Sequence, residues 1–259
     1  MGGDVSKLLI LISGLLISFF GYAGTQTKSN SYQAKLDQMV AKYRAIPVTE
    51  DVAPLIALDR EIVELVRNAS FDEAVTVQLR PEYSEIGIEE GVGEHIPVYH
   101  YGFLWIEAHK RNPHSAFRED TLFAVAMRDS EPNDSSVDLQ PLEAYLKEYP
   151  QGSLASSVYF ALANHYRDLY LVVRGLANKG KGQGEMAVNC YQRLISKKPY
   201  EEQMRESRRL SIENYEKALK LSTGSAVWKE GIRTGVLEEM KSENFRWNGY
   251  VTGCGLGND

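Results

Sequence analysis

The chain has 259 residues, of which 43% are hydrophobic and 25% charged, proportions that are ordinary for a globular protein with a sizeable core. Its formal net charge is −6, so it has no general attraction to phosphate backbones and we expect no nucleic-acid partner. No phosphate-binding or catalytic motif stands out, and we predict no cofactor.

The N-terminus has a short polar start, followed by an apolar run over Leu8–Phe20. This run is shorter than the ~20 apolar residues that a membrane-spanning helix needs. Gly21 and Ala23 then provide small residues at the two positions that a signal peptidase recognises before its cleavage site. We therefore expect residues 1–23 to be a signal peptide cleaved after Ala23, and the mature protein to be exported to a bacterial periplasm or the exterior. The alternative is an uncleaved membrane anchor, through which alone the chain would contact a membrane.

Residues 24–98 are predicted to form two helices and then a less regular segment. Amphipathic patterns cover Ser29–Ala45 and Ala53–Asn68, where apolar residues recur at helical spacing. Over Phe71–Val98, glycines and prolines interrupt the chain, which favours irregular structure or a small hairpin.

From Tyr99 onward the apolar residues follow a helical period, so the fold class is predicted to be mostly α. Helices are expected over Ser153–Val173, Glu185–Lys197 and Ser207–Leu221, with a glycine-rich loop over 175–184. A last helix is expected within residues 222–243, covering Val227–Lys241. The tail, residues 244–259, is rich in glycine and aromatic residues and has no helical period.

An internal repeat is the most informative feature of residues 99–221. Pro113 and Pro150 are 37 positions apart, and the apolar blocks that begin at Leu122 and Tyr159 have the same offset. The second copy has Tyr159, Leu162, Ala163 and Tyr166 on its first helix, then Ala187, Tyr191 and Pro199. The first copy has Leu122, Val125 and Ala126, then Leu142, Tyr145 and Pro150.

These spacings resemble the tetratricopeptide repeat, a helix–turn–helix unit of ~34 residues. The resemblance implies a helix–turn–helix array that acts as a protein–protein interaction or assembly module of the bacterial cell envelope, with a protein or peptide as partner. The alternative is an ordinary helical domain with chance periodicity.

In that family one face of each first helix lines a concave groove. The resemblance therefore implies a partner-binding groove made of Asp120, Phe123, Met127, Ser157, Phe160, Asn164 and Arg167. Asn164 and Arg167 would hydrogen-bond an extended peptide, and Phe123 and Phe160 would supply apolar contact. The alternative is that Phe123, Phe160 and Met127 simply belong to the core.

Two cysteines, Cys190 and Cys254, are the right number for one disulfide in an exported protein. The predicted bond would tie the tail to the repeat helices. The alternative is one buried thiol and one exposed thiol.

Four of the five histidines, His95, His100, His109 and His114, lie within twenty residues of each other, which raises the hypothesis of a metal site. Pro97 breaks regular structure between the first two, and on a helix His100 and His109 would point to opposite faces. We therefore predict no metal site. A metal-dependent hydrolase that uses the His95–His114 stretch, and a helical glycan-acting enzyme, remain the alternatives to an interaction module, as does a structural domain whose groove is filled by its own tail.

Overall fold

A computed structural model describes residues 31–90, 97–99, 102–130, 136–178 and 185–242, and these are mostly helical, as the sequence predicts. The chain divides into two compact units, residues 1–116 and residues 117–259.

The N-terminal unit begins with helix α1, described over residues 31–45, and α2 (Ala53–Asn68), whose predicted bounds are confirmed. A capping box made by Ser70 and Glu73 opens the short helix α3 (Phe71–Val75). The remaining elements are a 3₁₀ helix (Pro81–Ile86), the antiparallel strands β1 (Ile88–Glu90) and β2 (Pro97–Tyr99), and helix α4 (Phe103–Arg111). The segment predicted to be irregular thus contains one small hairpin and two short helices.

Over its described residues, the core of the N-terminal unit is apolar apart from the buried carboxylate of Asp59. Trp105 Nε1 donates to the buried carboxylate of Asp59 at 2.8 Å, which joins α4 to α2. Gly87 ends the 3₁₀ helix with a φ of 75°, and a Cβ there would lie 2.6 Å from the Cβ of Phe103. Only glycine fits this position. The fully buried large side chains are those of Leu36, Leu55, Ile56, Ile62, Tyr83, Ile86, Ile88 and Leu104.

The regular secondary structure of the C-terminal unit, over its described residues, consists of helices. Its elements are α5 (Arg118–Ser130), α6 (Gln140–Glu148), α7 (Ala155–Ala177), α8 (Glu185–Tyr191), α9 (Tyr200–Leu221), α10 (Ala226–Ile232), a π-helical turn (Arg233–Leu237) and α11 (Glu238–Lys241). Some predicted bounds are wrong: α7 covers Ala155–Ala177 instead of Ser153–Val173, α8 ends at Tyr191 instead of Lys197, and α9 begins at Tyr200 instead of Ser207. Pro199 is the N-cap of α9, so this proline lies between α8 and α9.

Helices α7 and α9 form the main pair of the C-terminal unit and run antiparallel. Ser156 Oγ donates to the carbonyl oxygen of Ala218, and Ser211 Oγ donates to that of Ala163, both at 2.9 Å. Small residues at these crossing points let the two backbones approach closely. The repeat resemblance would pair α7 with α8, whereas α7 packs mainly along α9.

Cys190 lies buried in the core of the C-terminal unit and is disulfide-bonded. The other cysteine of the sequence, Cys254, lies outside the described residues, so the Cys190–Cys254 pairing stays a prediction. We expect thiol titration of the unfolded, non-reduced protein to find no free thiol, because the bond consumes both sulfur atoms. Two reactive thiols per chain would contradict the pairing.

No helix in the described ranges is both long and apolar enough to cross a membrane. The apolar run over Leu8–Phe20 and the tail over residues 244–259 lie outside those ranges.

Candidate functional site

Three of the four residues predicted to line the open face of α7, namely Phe160, Asn164 and Arg167, instead pack against α9. The ring of Phe160 meets the ring of Tyr215 edge-on, with centroids 5.8 Å apart. Tyr215 Oη donates to Asn164 Oδ1 at 2.6 Å, and Arg167 Nη1 lies 3.3 Å from Tyr215 Oη. Arg167 is only 4% exposed. The predicted open groove on this face of α7 is therefore wrong, because the face is covered by a helix that the sequence pattern did not assign to it.

The predicted groove residues on α5 are divided between core and surface. Phe123 packs edge-on against Tyr145, with centroids 6.0 Å apart, and Met127 also contacts the core cluster of the unit. Asp120 is exposed, and so is Ser157 on α7. The structure does not bring the seven predicted residues together on one open surface, and Phe123, Phe160 and Met127 have the core role that was their alternative.

A buried ion pair lies between α7 and its neighbours. Arg167 Nε and Nη2 both donate to Asp168 Oδ1, at 3.0 and 2.8 Å, and Asp168 is fully buried. Burial lowers the pKa of Arg167, but the carboxylate of Asp168, together with Tyr215 and Tyr191, outweighs burial and the pKa is raised. Arg167 therefore stays charged, and the carboxylate of Asp168 offsets part of the cost of burying that charge.

Two further side chains extend this pair toward α8. Tyr191 Oη donates to Asp168 Oδ2 at 3.4 Å and lies 3.2 Å from His165 Nδ1. Burial, and to a lesser extent the charge of Arg167, lowers the pKa of His165 to about 4. Burial also raises the pKa of Tyr191. His165 is thus a neutral imidazole at neutral pH, and the network holds α7, α8 and α9 in one arrangement.

The open face of α7 is the opposite one, and it forms the floor of a groove with α6 on one side and α9 on the other. The groove contains two adjoining cavities, of ≈ 500 Å³ toward the α8–α9 connection and ≈ 320 Å³ at the other end. Both are lined by Glu143, Tyr166 and Leu210, so they form one continuous surface, which we call the α6–α9 groove. Its floor consists of Tyr159, Leu162, Tyr166 and Leu169.

The wall next to the α8–α9 connection is held by one buried glutamine. Gln203 Oε1 accepts from the backbone N–H of Ser196 at 2.9 Å, and its Nε2 donates to the carbonyl oxygens of Ser196 and Lys198. Ser207 Oγ, one turn further along α9, donates to the carbonyl oxygen of Gln203 at 2.6 Å. The connection between the two helices is therefore fixed where it borders the groove, although it has no regular secondary structure.

Charged side chains surround the apolar floor of the groove. Glu143 of α6 and Glu206 of α9 lie near its middle, with Glu206 ion-paired to Lys198 at 3.0 Å. Arg193 lies at the end near α8, and Lys217 lies at the other end, where its Nζ is 5.3 Å from the centre of the Tyr159 ring. The groove thus combines an apolar base with polar walls, the arrangement found in sites that bind peptides and small organic ligands.

The histidine-rich stretch is only partly described. His95 and His100 lie outside the described residues, and His109 and His114 lie within them. Glu107, a carboxylate in the same stretch, is ion-paired to Arg111 at 3.0 Å. Among the described residues, no group of three or more histidine, cysteine, aspartate or glutamate side chains is arranged to hold a metal ion.

Comparisons of the chain with protein-family models, with curated proteins and with solved structures gave no match.

Proposed function

We propose that the chain is an exported, tetratricopeptide-like interaction protein of the bacterial cell envelope, and that its C-terminal unit binds a segment of a partner protein in the α6–α9 groove. The α6–α9 groove is the observation that carries this proposal. Export is supported by the apolar run over Leu8–Phe20 and the small residues that follow it. The 37-residue repeat supports the relation to the tetratricopeptide family.

The dimensions of the groove suit a short stretch of polypeptide. Its floor runs along α7 from Tyr159 to Leu169, a length of about 15 Å at the helical rise per residue. An extended peptide of about five residues covers this distance. Alternate side chains of such a peptide would point to the apolar floor, while its backbone would meet polar groups on the walls.

The groove is also rigid, which favours binding. Its floor belongs to the helix that the buried Arg167–Asp168 pair and Tyr215 fix against α9. Its end wall is fixed by the hydrogen bonds of Gln203. A site that is already ordered loses little conformational entropy when a ligand binds, so more of the contact energy appears as affinity.

Filling the groove tests this function. Leu210 lines both cavities and is half-buried, so Leu210→Trp would place an indole ring in the middle of the groove. We expect peptides selected from a random twelve-residue phage library on the full-length protein to lose at least about tenfold in affinity for this variant. The affinity of synthetic peptides is measured by fluorescence anisotropy.

Ala144→Trp is the matched control, because Ala144 is exposed on α6 and does not line either cavity. Peptide affinity should be unchanged in this variant. A library that enriches no peptide would contradict the proposed function, and so would selected peptides that bind Leu210→Trp as well as the unmodified protein.

A further inference from the structure

An aromatic ring with a carboxylate on each wall lies at the centre of the α6–α9 groove. Tyr166 forms part of the floor, and its Oη donates to Glu143 Oε1 at 3.3 Å. Burial raises the pKa of Tyr166 to about 12, and the charges of both Glu143 and Glu206 contribute to the increase. The phenol therefore stays protonated, and both carboxylates lie near its hydroxyl group.

The two carboxylates differ in what balances their charge. Glu143 forms no ion pair with any described residue, although it lies beside the groove. Glu206 is paired with Lys198, whose Nζ also lies 3.2 Å from Glu202. Lys198 can therefore keep one partner if Glu206 turns to a ligand. Negative charge at the centre of the groove is thus available for a cation.

Basic side chains lie at both ends of the groove, which Asp138 and Glu213 also line. Arg193 lies near α8, and Lys147 and Lys217 lie at the far end. None of these three side chains forms an ion pair with a described residue. A negative group of a ligand at the centre would be repelled by Glu143 and Glu206, whereas a positive group there would be attracted by both carboxylates.

We propose that the α6–α9 groove selects partner segments that place a lysine or arginine side chain over Tyr166, with its positive charge between Glu143 and Glu206. This inference rests on the proposed function and names the chemistry of the partner. A cation over the face of a phenol ring is attracted by the ring quadrupole. A hydrogen bond to an ionised carboxylate is stronger than one between neutral groups. The aliphatic stem of the lysine or arginine would cover the leucine side chains next to Tyr166.

The test uses the same phage library with three proteins, namely the unmodified full-length chain, Glu143→Gln and Glu239→Gln. Glu239 is the matched control, because it is exposed on α11 and has no ion pair with a described residue. We expect lysine and arginine to be enriched at one position of the peptides selected by the unmodified chain and by Glu239→Gln. Selection by Glu143→Gln should lose this preference.

A double-mutant cycle with a synthetic peptide gives the magnitude. Glu143→Gln should weaken a selected peptide about three- to tenfold, as expected for an ion pair that is partly shielded from water. The same substitution should leave unchanged the affinity of that peptide when its basic residue is replaced by methionine. Glu143→Lys should bind a peptide with glutamate at this position better than the unmodified chain does.

The two proposals fail in different ways. Selected peptides without a basic preference, but sensitive to Leu210→Trp, would overturn the cation site and leave the peptide groove standing. Equal losses in Glu143→Gln for the basic and the methionine peptide would also overturn it, because the effect would not depend on the cation. A library that enriches no peptide at all would overturn both proposals.

Discussion

Replacing Asp168 by asparagine is expected to lower the free energy of unfolding of the C-terminal unit by about 3–5 kcal/mol. The substitution keeps the size and an acceptor oxygen of the side chain but removes the negative charge that lies 2.8 Å from the buried guanidinium of Arg167. Arg167 cannot lose its proton to relieve this cost, because its pKa is far above neutral. Urea unfolding followed by circular dichroism at 222 nm measures the change.

Two controls separate the buried charge from a general effect of mutation. Glu230→Gln removes a carboxylate from an exposed ion pair with Arg233 and should leave the free energy of unfolding nearly unchanged, because solvent screens the pair. The double variant Arg167→Met, Asp168→Leu should be more stable than Asp168→Asn, because it removes both charges. A loss below about 1 kcal/mol for Asp168→Asn would show that the pair is hydrated in solution and does not act as a buried pair.

Acidification is expected to destabilise the C-terminal unit before its carboxylates are protonated, because His165 must bind a proton. The pKa of His165 is about 4 in the folded protein, where its neighbours are Arg167 on α7 and Tyr191 on α8, and about 6.5 when the chain is unfolded. The unfolded state therefore binds the proton first as the pH falls. The contribution of the neutral His165 to the free energy of unfolding is fully present above pH ~6.5. It is lost as the pH falls from ~6.5 to ~4, which lowers the free energy of unfolding by about 3 kcal/mol.

His165→Gln isolates this contribution, because glutamine is uncharged at every pH and can keep the hydrogen bond to Tyr191. The free energy of unfolding is measured for the unmodified protein and for the variant. The difference between the two should decrease by about 3 kcal/mol as the pH is lowered from 6.5 to 4. NMR titration of the imidazole gives an independent reading. A midpoint near 6.5 for His165 in the folded protein would refute the prediction.

The sequence was sufficient to predict helices wherever one apolar face dominates the pattern. The bounds of α2 follow from such a face and from Pro54 in its first turn. The end of α8 did not follow, because the residues after Tyr191 keep a helical composition. The backbone there is held instead by Gln203, whose partners Ser196 and Lys198 are close in sequence but on the other side of a proline. Hydrogen bonds from one side chain to a backbone segment produce no periodic pattern in the sequence.

The candidate site was placed on the wrong face of α7 for a related reason. The predicted set includes Phe160 and Asn164, whereas the observed floor includes Leu162 and Tyr166. The two sets are offset by two positions in the sequence, which is about 200° around a helix. Both faces of α7 have apolar residues, so periodicity alone could not decide which one α9 covers. The serine and alanine residues at the α7–α9 crossings, and a charged pair within an otherwise apolar helix, are signals in the sequence that favour the face observed.

The pairing of α7 with α9 also determines when the C-terminal unit can fold. The hydrogen bonds that join these helices connect residues 48 and 62 positions apart in the chain. Contacts this distant form only after a long intervening segment has been closed into a loop, which slows folding. While the chain is being synthesised, one side of α7 stays exposed until the end of α9, at Leu221, has been made. We therefore expect the unit to remain a substrate for chaperones and proteases until nearly the whole chain has emerged.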